Sequence, residues 1–458
     1  MNKSIVLLIA IVVVALVIGV ILWKRAPGTG PVSVTEPNQP AATEAEVPER
    51  PLYEQLCAEG NVLLVDALSG QGDSGGLFRQ ACDRYRQAVE LMPDYYRAYF
   101  NWGIALFSWA RVAGPDAAKL YLEASEKYYK AVQIDPNRYE AYNNWAAVLM
   151  GLAELGGPQA IDYGKQALEK YQMSSQLQSD DPETFANWGL ALIRCADLDQ
   201  GQAGSYYRQA IEKFEKAVEL EPYNPKAYEG WGTCLYGLAS QDGPEQEQYF
   251  QQACSMYQKA TEQDPNLASA FYNWAVALSA WANAAGPKGE PLFEQACARF
   301  STAASLQPDD PQVYTSLINT LADWITAQPN EPQARVQQAI EAAGKVQAMF
   351  PDQPLLCNIL ARPLLRMVRA MGQEQAASQT IIEKVKQLAE HVESLQAGSG
   401  AYAMGCLSAL IGKEDDCRQW LQKGQQHGLL PSAEVAEKDG FLQSVWQQDW
   451  LKQIRWGK

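Results

Sequence analysis

The stretch AYFNWGIALFSWA, residues 98–110, returns as AYNNWAAVLMGLA at 141–153, TFANWGLALIRCA at 184–196, AYEGWGTCLYGLA at 227–239 and AFYNWAVALSAWA at 270–282. Trp102, Trp145, Trp188, Trp231 and Trp274 thus recur every 43 residues, and Pro93, Pro136, Pro222, Pro265, Pro308 and Pro351 fall on the same grid. A fixed period of roughly 20 to 50 residues marks a solenoid, propeller or array. Within the period, apolar residues recur at three and four positions, as in NWGIALFSWA and YLEASEKYYKAV, with no strand-like alternation. Each unit therefore reads as two helices, A and then B.

Breaks in the pattern set the helix ends. Helix A should end near Gly114-Pro115, Gly156-Gly157-Pro158, Gly243-Pro244 and Gly286-Pro287, where glycine can leave a helix and proline can start the next. Helix B should end at dipeptides such as Asp135-Pro136, because proline disfavours the helical conformation of its predecessor.

In one unit Tyr99, Trp102, Gly103 and Leu106 are followed by Ala124, Tyr128, Ala131 and Pro136; in another, Tyr228, Trp231, Gly232 and Leu235 are followed by Ala253, Tyr257, Ala260 and Pro265. This succession resembles the tetratricopeptide repeat (TPR) family. The resemblance runs from about residue 52 to 396 and implies an all-α fold, a right-handed TPR-like α-solenoid of helix pairs. The period is longer than the family's usual length of about 34 residues. The surplus lies between helix A and helix B, as an extra turn on each helix and a longer joint. The units after Pro308 are degenerate, with Leu317 and Leu360 where tryptophan stood.

Four segments result. Residues 1–25 contain the uncharged run Ile5–Trp23, long enough at 1.5 Å per residue to cross a hydrocarbon core of about 30 Å, and are expected to form a single transmembrane helix. Residues 26–51 hold six prolines and no aromatic residue, the composition of a flexible linker. Residues 52–396 carry the TPR-like repeats, and 397–458 a last helical pair with capping helices, since the end of a solenoid otherwise exposes an apolar face. The expected localisation is a single-pass membrane protein. Charges flanking the span do not decide its topology; free cysteines favour a cytoplasmic repeat domain.

Composition narrows the function. The formal charge is −16, and no basic run of the kind that grips a phosphate backbone is present, so nucleic acid is not an expected partner. Only His391 and His427 are available as imidazoles, and neither Walker-type, Cys-x-x-Cys nor His-Glu-x-x-His patterns occur. SGQGDSGG at 69–76 lacks the lysine of a phosphate loop and reads as the joint between the first two helices. No catalytic residue, cofactor or metal is expected. Cys82, Cys254 and Cys297 share one place in the repeat, where other units have Ser125, Leu168 or Ile211, so cysteine there is read as a small buried hydrophobe.

Trp102, Trp145, Trp188, Trp231 and Trp274 are expected in the structural core of the repeat. Asn101, Asn144, Asn187 and Asn273 precede four of them, where a polar amide has less reason to be buried. The TPR resemblance implies that asparagine here faces a concave groove lined by helix A and grips the backbone of an extended peptide; the alternative is that these amides bridge neighbouring helices. Lys226 could join Asn187 in such a site. The family's clamp for a terminal carboxylate does not carry over, because Gly230 replaces a further basic residue and Glu140 and Glu183 occupy the lysine place. Phe100, Ile104, Phe107, Tyr272 and Val276, set among Glu140, Glu183 and Glu229, suit a hydrophobic or basic segment. The expected function is a membrane-anchored adaptor that holds protein or peptide partners and assists assembly of a membrane-associated complex. The alternative is a structural protein that assembles with its own copies.

Overall fold

A computed structural model of the protein describes residues 50–70, 73–241, 243–354 and 356–457. Contacts divide the chain into two compact units with the boundary between Leu220 and Glu221. The first contains α1 (Leu52–Leu68), α2 (Ser74–Leu91), α3 (Tyr96–Ala110), α4 (Ala117–Ile134), α5 (Tyr139–Glu154), α6 (Ala160–Leu177), α7 (Pro182–Leu198) and α8 (Ala203–Leu220). The second contains α9 (Pro225–Ala239), α10 (Gln246–Gln263), α11 (Ala268–Ala285), α12 (Glu290–Leu306), α13 (Pro311–Ala327), α14 (Gln333–Met349), α15 (Leu356–Met371), α16 (Ala376–Leu395), α17 (Ala401–Leu410), α18 (Glu414–Gln426) and α19 (Ala433–Asp439). The fold is an all-α run of TPR-like helix pairs, with odd-numbered A helices and even-numbered B helices through α18.

The ends follow local chemistry. Helices α4 and α10 stop immediately before Asp135-Pro136 and Asp264-Pro265. After α3, α5 and α11 the chain turns through left-handed backbone at Gly114, Gly156, Gly157 and Gly286, conformations that glycine adopts without a Cβ penalty. Asp181, Asn224 and Asp310 accept hydrogen bonds from main-chain N–H groups at the starts of α7, α9 and α13, each followed by proline at the first helical position.

Small residues of helix A meet aromatic residues of helix B. Gly60, Gly103, Gly189 and Gly232 lie beneath the rings of Tyr85, Tyr128, Phe214 and Tyr257, which are at most 1% exposed. A Cβ on any of these glycines would come within 3 Å of the ring. The repeat thus runs on a glycine-to-ring contact, and the ring 25 residues downstream is its deepest side chain. In the second unit the core continues from α13 through α18 to Phe441, Leu442 and Val445 beyond α19. Leu317 and Leu360, standing at the tryptophan place, are 5% and 0% exposed, so degeneration of the motif there keeps the core closed with smaller side chains.

The localisation expected above is corrected. Among the described residues no helix is long and apolar enough to cross a membrane: the longer ones carry polar side chains throughout, and the apolar α17 is only 10 residues long. The segment Ile5–Trp23 and residues 26–49 of the linker lie outside the described residues, and no single-pass placement of the repeat domain is retained.

Candidate binding face of the A helices

Four of the five repeat tryptophans meet a cation of helix B. Lys127, Lys170 and Lys213 sit 4.3, 4.6 and 4.4 Å from the ring centres of Trp102, Trp145 and Trp188, and the Arg299 guanidinium lies 4.0 Å from that of Trp274. The offset is 25 residues in every pair, one position before the buried ring. These cation–π contacts cover rings that are half-buried at 102, 145 and 188 and buried at 274. Trp231, in the remaining unit, is half-buried as well. The other edge explains the variable cysteine place. The indole N–H of Trp145 donates to Ser125 Oγ at 2.7 Å, while those of Trp102 and Trp274 are buried without a hydrogen-bond partner, in units where Cys82 and Cys254 replace the serine. Burial pushes these thiols up to about 12 and about 11, so they stay protonated at neutral pH. All eight cysteines whose side chains are described are free.

The asparagines divide. Asn101 Nδ2 donates to Asn61 Oδ1 at 2.8 Å, and the same oxygen accepts the Tyr85 hydroxyl at 2.9 Å. Asn144 hydrogen-bonds the Tyr128 hydroxyl. In the second unit Asn273 Nδ2 donates to Glu229 Oε1 at 2.9 Å. Asn101 and Asn273 thus bridge successive A helices, Asn144 braces a buried ring, and Asn187 is half-buried on α7. Lys226 is exposed at the start of α9, where its charge acts on Glu229. Asn187 and Lys226 belong to different units.

A seam between A helices goes beyond what the sequence motifs suggest. Tyr272 and Ser316 exchange a hydroxyl hydrogen bond at 3.1 Å, Thr320 donates to Ser279 at 3.0 Å, and Asn283 donates to Asp323 at 3.0 Å. All join positions 40 to 44 residues apart, so the repeat period itself is the signal that could locate them. In the first unit Phe100, Ile104 and Phe107 of α3 are half-buried and Leu190 of α7 is 48% exposed; in the second, Tyr272 and Val276 of α11 are half-buried. Helix packing runs between sequence neighbours and next-but-one helices, and the A helices of each unit keep partly exposed side chains.

Glu229 is the unusual acid on this face. Burial raises its pKa, opposed by hydrogen bonds from Ser269 and Asn273 and by the Lys226 charge. A carboxyl whose folded pKa lies above its unfolded value of 4.5 favours folding below that value and disfavours it once ionised. Glu229→Gln, which keeps an acceptor for Asn273 and removes the charge, is expected to raise the melting temperature at pH 7. The gain should shrink as the pH is lowered from neutrality towards 4.5 and be nearly gone below it; a gain that persists unchanged at low pH would assign the effect to packing.

Residues 160–286 match the family model of the plant-specific mitochondrial import receptor subunit TOM20, less than half of the chain. Among curated proteins none matches. Solved structures with a similar fold include YrrB, a TPR protein with an unusual peptide-binding site, at 20% identity over 51% of this chain and 98% of that one, TM-score 0.35. Also similar are PilF of Pseudomonas aeruginosa, at 19% identity over 57% and 97%, TM-score 0.37, and the TPR protein TTC0263 of Thermus thermophilus, at 16% over 49% and 98%, TM-score 0.34. The likeness is one of fold alone.

Proposed function

We propose that this chain is a non-catalytic scaffold whose A-helix faces hold protein or peptide segments. The observation that carries it is the set of partly exposed apolar side chains along the A helices. On the A helices Phe100, Ile104, Phe107, Tyr272 and Val276 pack against the core with one side and stay partly exposed on the other, among amides, and Leu190 is 48% exposed. Apolar pockets supply binding free energy and an amide supplies both a donor and an acceptor to a peptide unit. The family matched over residues 160–286 is one of import receptor subunits, which supports a polypeptide as the ligand class.

The test is photo-crosslinking in cells from a photoreactive residue replacing Asn187 in the full chain. One dominant heterologous adduct is expected, and the partner it identifies should bind the purified chain about tenfold more weakly after Leu190→Asp, the equivalent of about 1.4 kcal/mol. Adducts to the chain's own copies alone would favour the self-assembling alternative. Absence of any adduct would move the working surface away from α7.

A further inference from the structure

We propose that a cavity between α15 and the C-terminal cap is a second binding site, which takes an acidic peptide segment with carboxylates alternating with apolar side chains. The proposal rests on the scaffold reading for its ligand class and deepens it at two late A helices, α13 and α15, where the C-terminal cap adds a further wall. The cavity encloses about 730 Å³, and its walls include Ile359, Arg362, Arg366, Arg369, Leu429 and Phe441. That volume suits a few residues of an extended segment rather than a folded domain.

The sequence places the cations together. Arg362, Arg366 and Arg369 are spaced by four and three residues on α15, which puts them on one helical face. Lys438 of α19 joins the same cavity. The nearby acids are already engaged: Arg362 pairs with Asp439, Arg366 with Asp323, and Lys438 with Glu434. Among the described residues no ion pair takes Arg369. Its guanidinium donates to the main-chain oxygen of Asp439 at 3.0 Å and lies 5.3 Å from the centre of the Phe441 ring. Gly440, with φ +65°, makes this possible, because a Cβ there would stand 2.9 Å from Arg369 Nη1.

Arg369 is thus the cavity's cation without a counter-ion among the described residues, beside two further guanidiniums, and a carboxylate of a ligand would supply one. A planar guanidinium binds a carboxylate through two parallel N–H donors, and its strength rises as water is excluded. Ile359, 52% exposed, and half-buried Leu429 line the same cavity, so arginines of α15 and apolar side chains of α15 and the cap share its walls. The site also differs from a clamp built on A-helix amides and lysines, since residues 429–441 of the cap supply one of its walls.

The experiment uses the full chain and a fluorescein-labelled, carboxyl-amidated peptide alternating glutamate with leucine, followed by fluorescence polarisation. The glutamate peptide should bind at least tenfold more tightly than its glutamine counterpart, and added salt should weaken it. Arg369→Gln should weaken it about tenfold, and Arg369→Lys less, with the circular dichroism spectrum unchanged because Arg369 is exposed. Failure of the glutamate peptide to bind, equal binding of the glutamine peptide, or indifference to Arg369→Gln overturns the proposal. So does a glutamine–leucine peptide with a free carboxyl terminus that binds as tightly, since the site would then read chain ends. The Asn187 adduct serves as the separate readout: if it persists while the glutamate peptide fails, the cavity assignment falls and the scaffold reading stands.

Discussion

Truncation of Tyr128 to alanine is expected to destabilise the first unit by about 3–5 kcal/mol, the range for aromatic-to-alanine changes in packed cores. The side chain is 1% exposed, meets Phe100 edge-on at 5.9 Å between ring centres, lies over Gly103, and engages Asn144 through its hydroxyl. The surrounding helices cannot collapse into the space without breaking the A-to-B spacing that every unit repeats. The converse change is informative as well. Gly103→Leu gains helix propensity, worth up to about 1 kcal/mol, yet its Cβ would fall 2.7 Å from a ring carbon of Tyr128. Overpacking of this kind costs about 1–3 kcal/mol, so the clash wins and the variant should be less stable. Gly344 in α14 has nothing within 4 Å of a built Cβ, and the same substitution there should be neutral or stabilising. Urea unfolding followed by circular dichroism compares the three, and equal behaviour of Gly103→Leu and Gly344→Leu would remove the glycine-to-ring contact from the account.

That contact shows what the sequence makes legible. The 43-residue grid, the glycine breaks and the Asp-Pro stops locate the helix pairs because each is a local backbone preference repeated in phase. Trp102 and its counterparts attract attention as the largest side chains, yet the deepest positions belong to Tyr85, Tyr128, Phe214 and Tyr257. Depth depends on what lies across the helix pair, and only the pairing of Gly103 with a residue 25 positions later reveals it. The amides are less legible for the same reason. Asn101 and Asn273 find partners 40 and 44 residues earlier, a distance invisible to local pattern. The α15 arginines are legible in spacing, at 362, 366 and 369, but the chain's negative net charge hides what they can do. Net charge averages over the surface, whereas a cavity is governed by the few groups that line it.

The second large effect is expected at the cap. Asp439 is only 6% exposed in its side chain, receives the Arg362 guanidinium and the Tyr402 hydroxyl, the latter at 3.0 Å, and offers its main-chain oxygen to Arg369. Asp439→Ala leaves Arg362 without its counter-ion beside two further arginines and leaves the Tyr402 hydroxyl without its acceptor. Hydrogen bonds to charged groups contribute about 1.5–3 kcal/mol, and half-exposure of Arg362 keeps the loss within that range rather than at the level of a fully buried pair. Lys438→Ala removes an exposed ion pair with Glu434 and should cost about 0–1 kcal/mol. Hydrogen exchange across residues 429–457 should accelerate in the first variant and not in the second; equal exchange would mean that Asp439 does not hold the cap. Asp439→Asn sets the two roles of this residue against each other. It keeps an acceptor for Tyr402, so the cavity retains its shape, but it frees Arg362 for a ligand. Stability should therefore fall while affinity for the glutamate peptide rises, and that opposition of sign distinguishes an anion-binding cavity from a cluster of arginines that serves the fold alone.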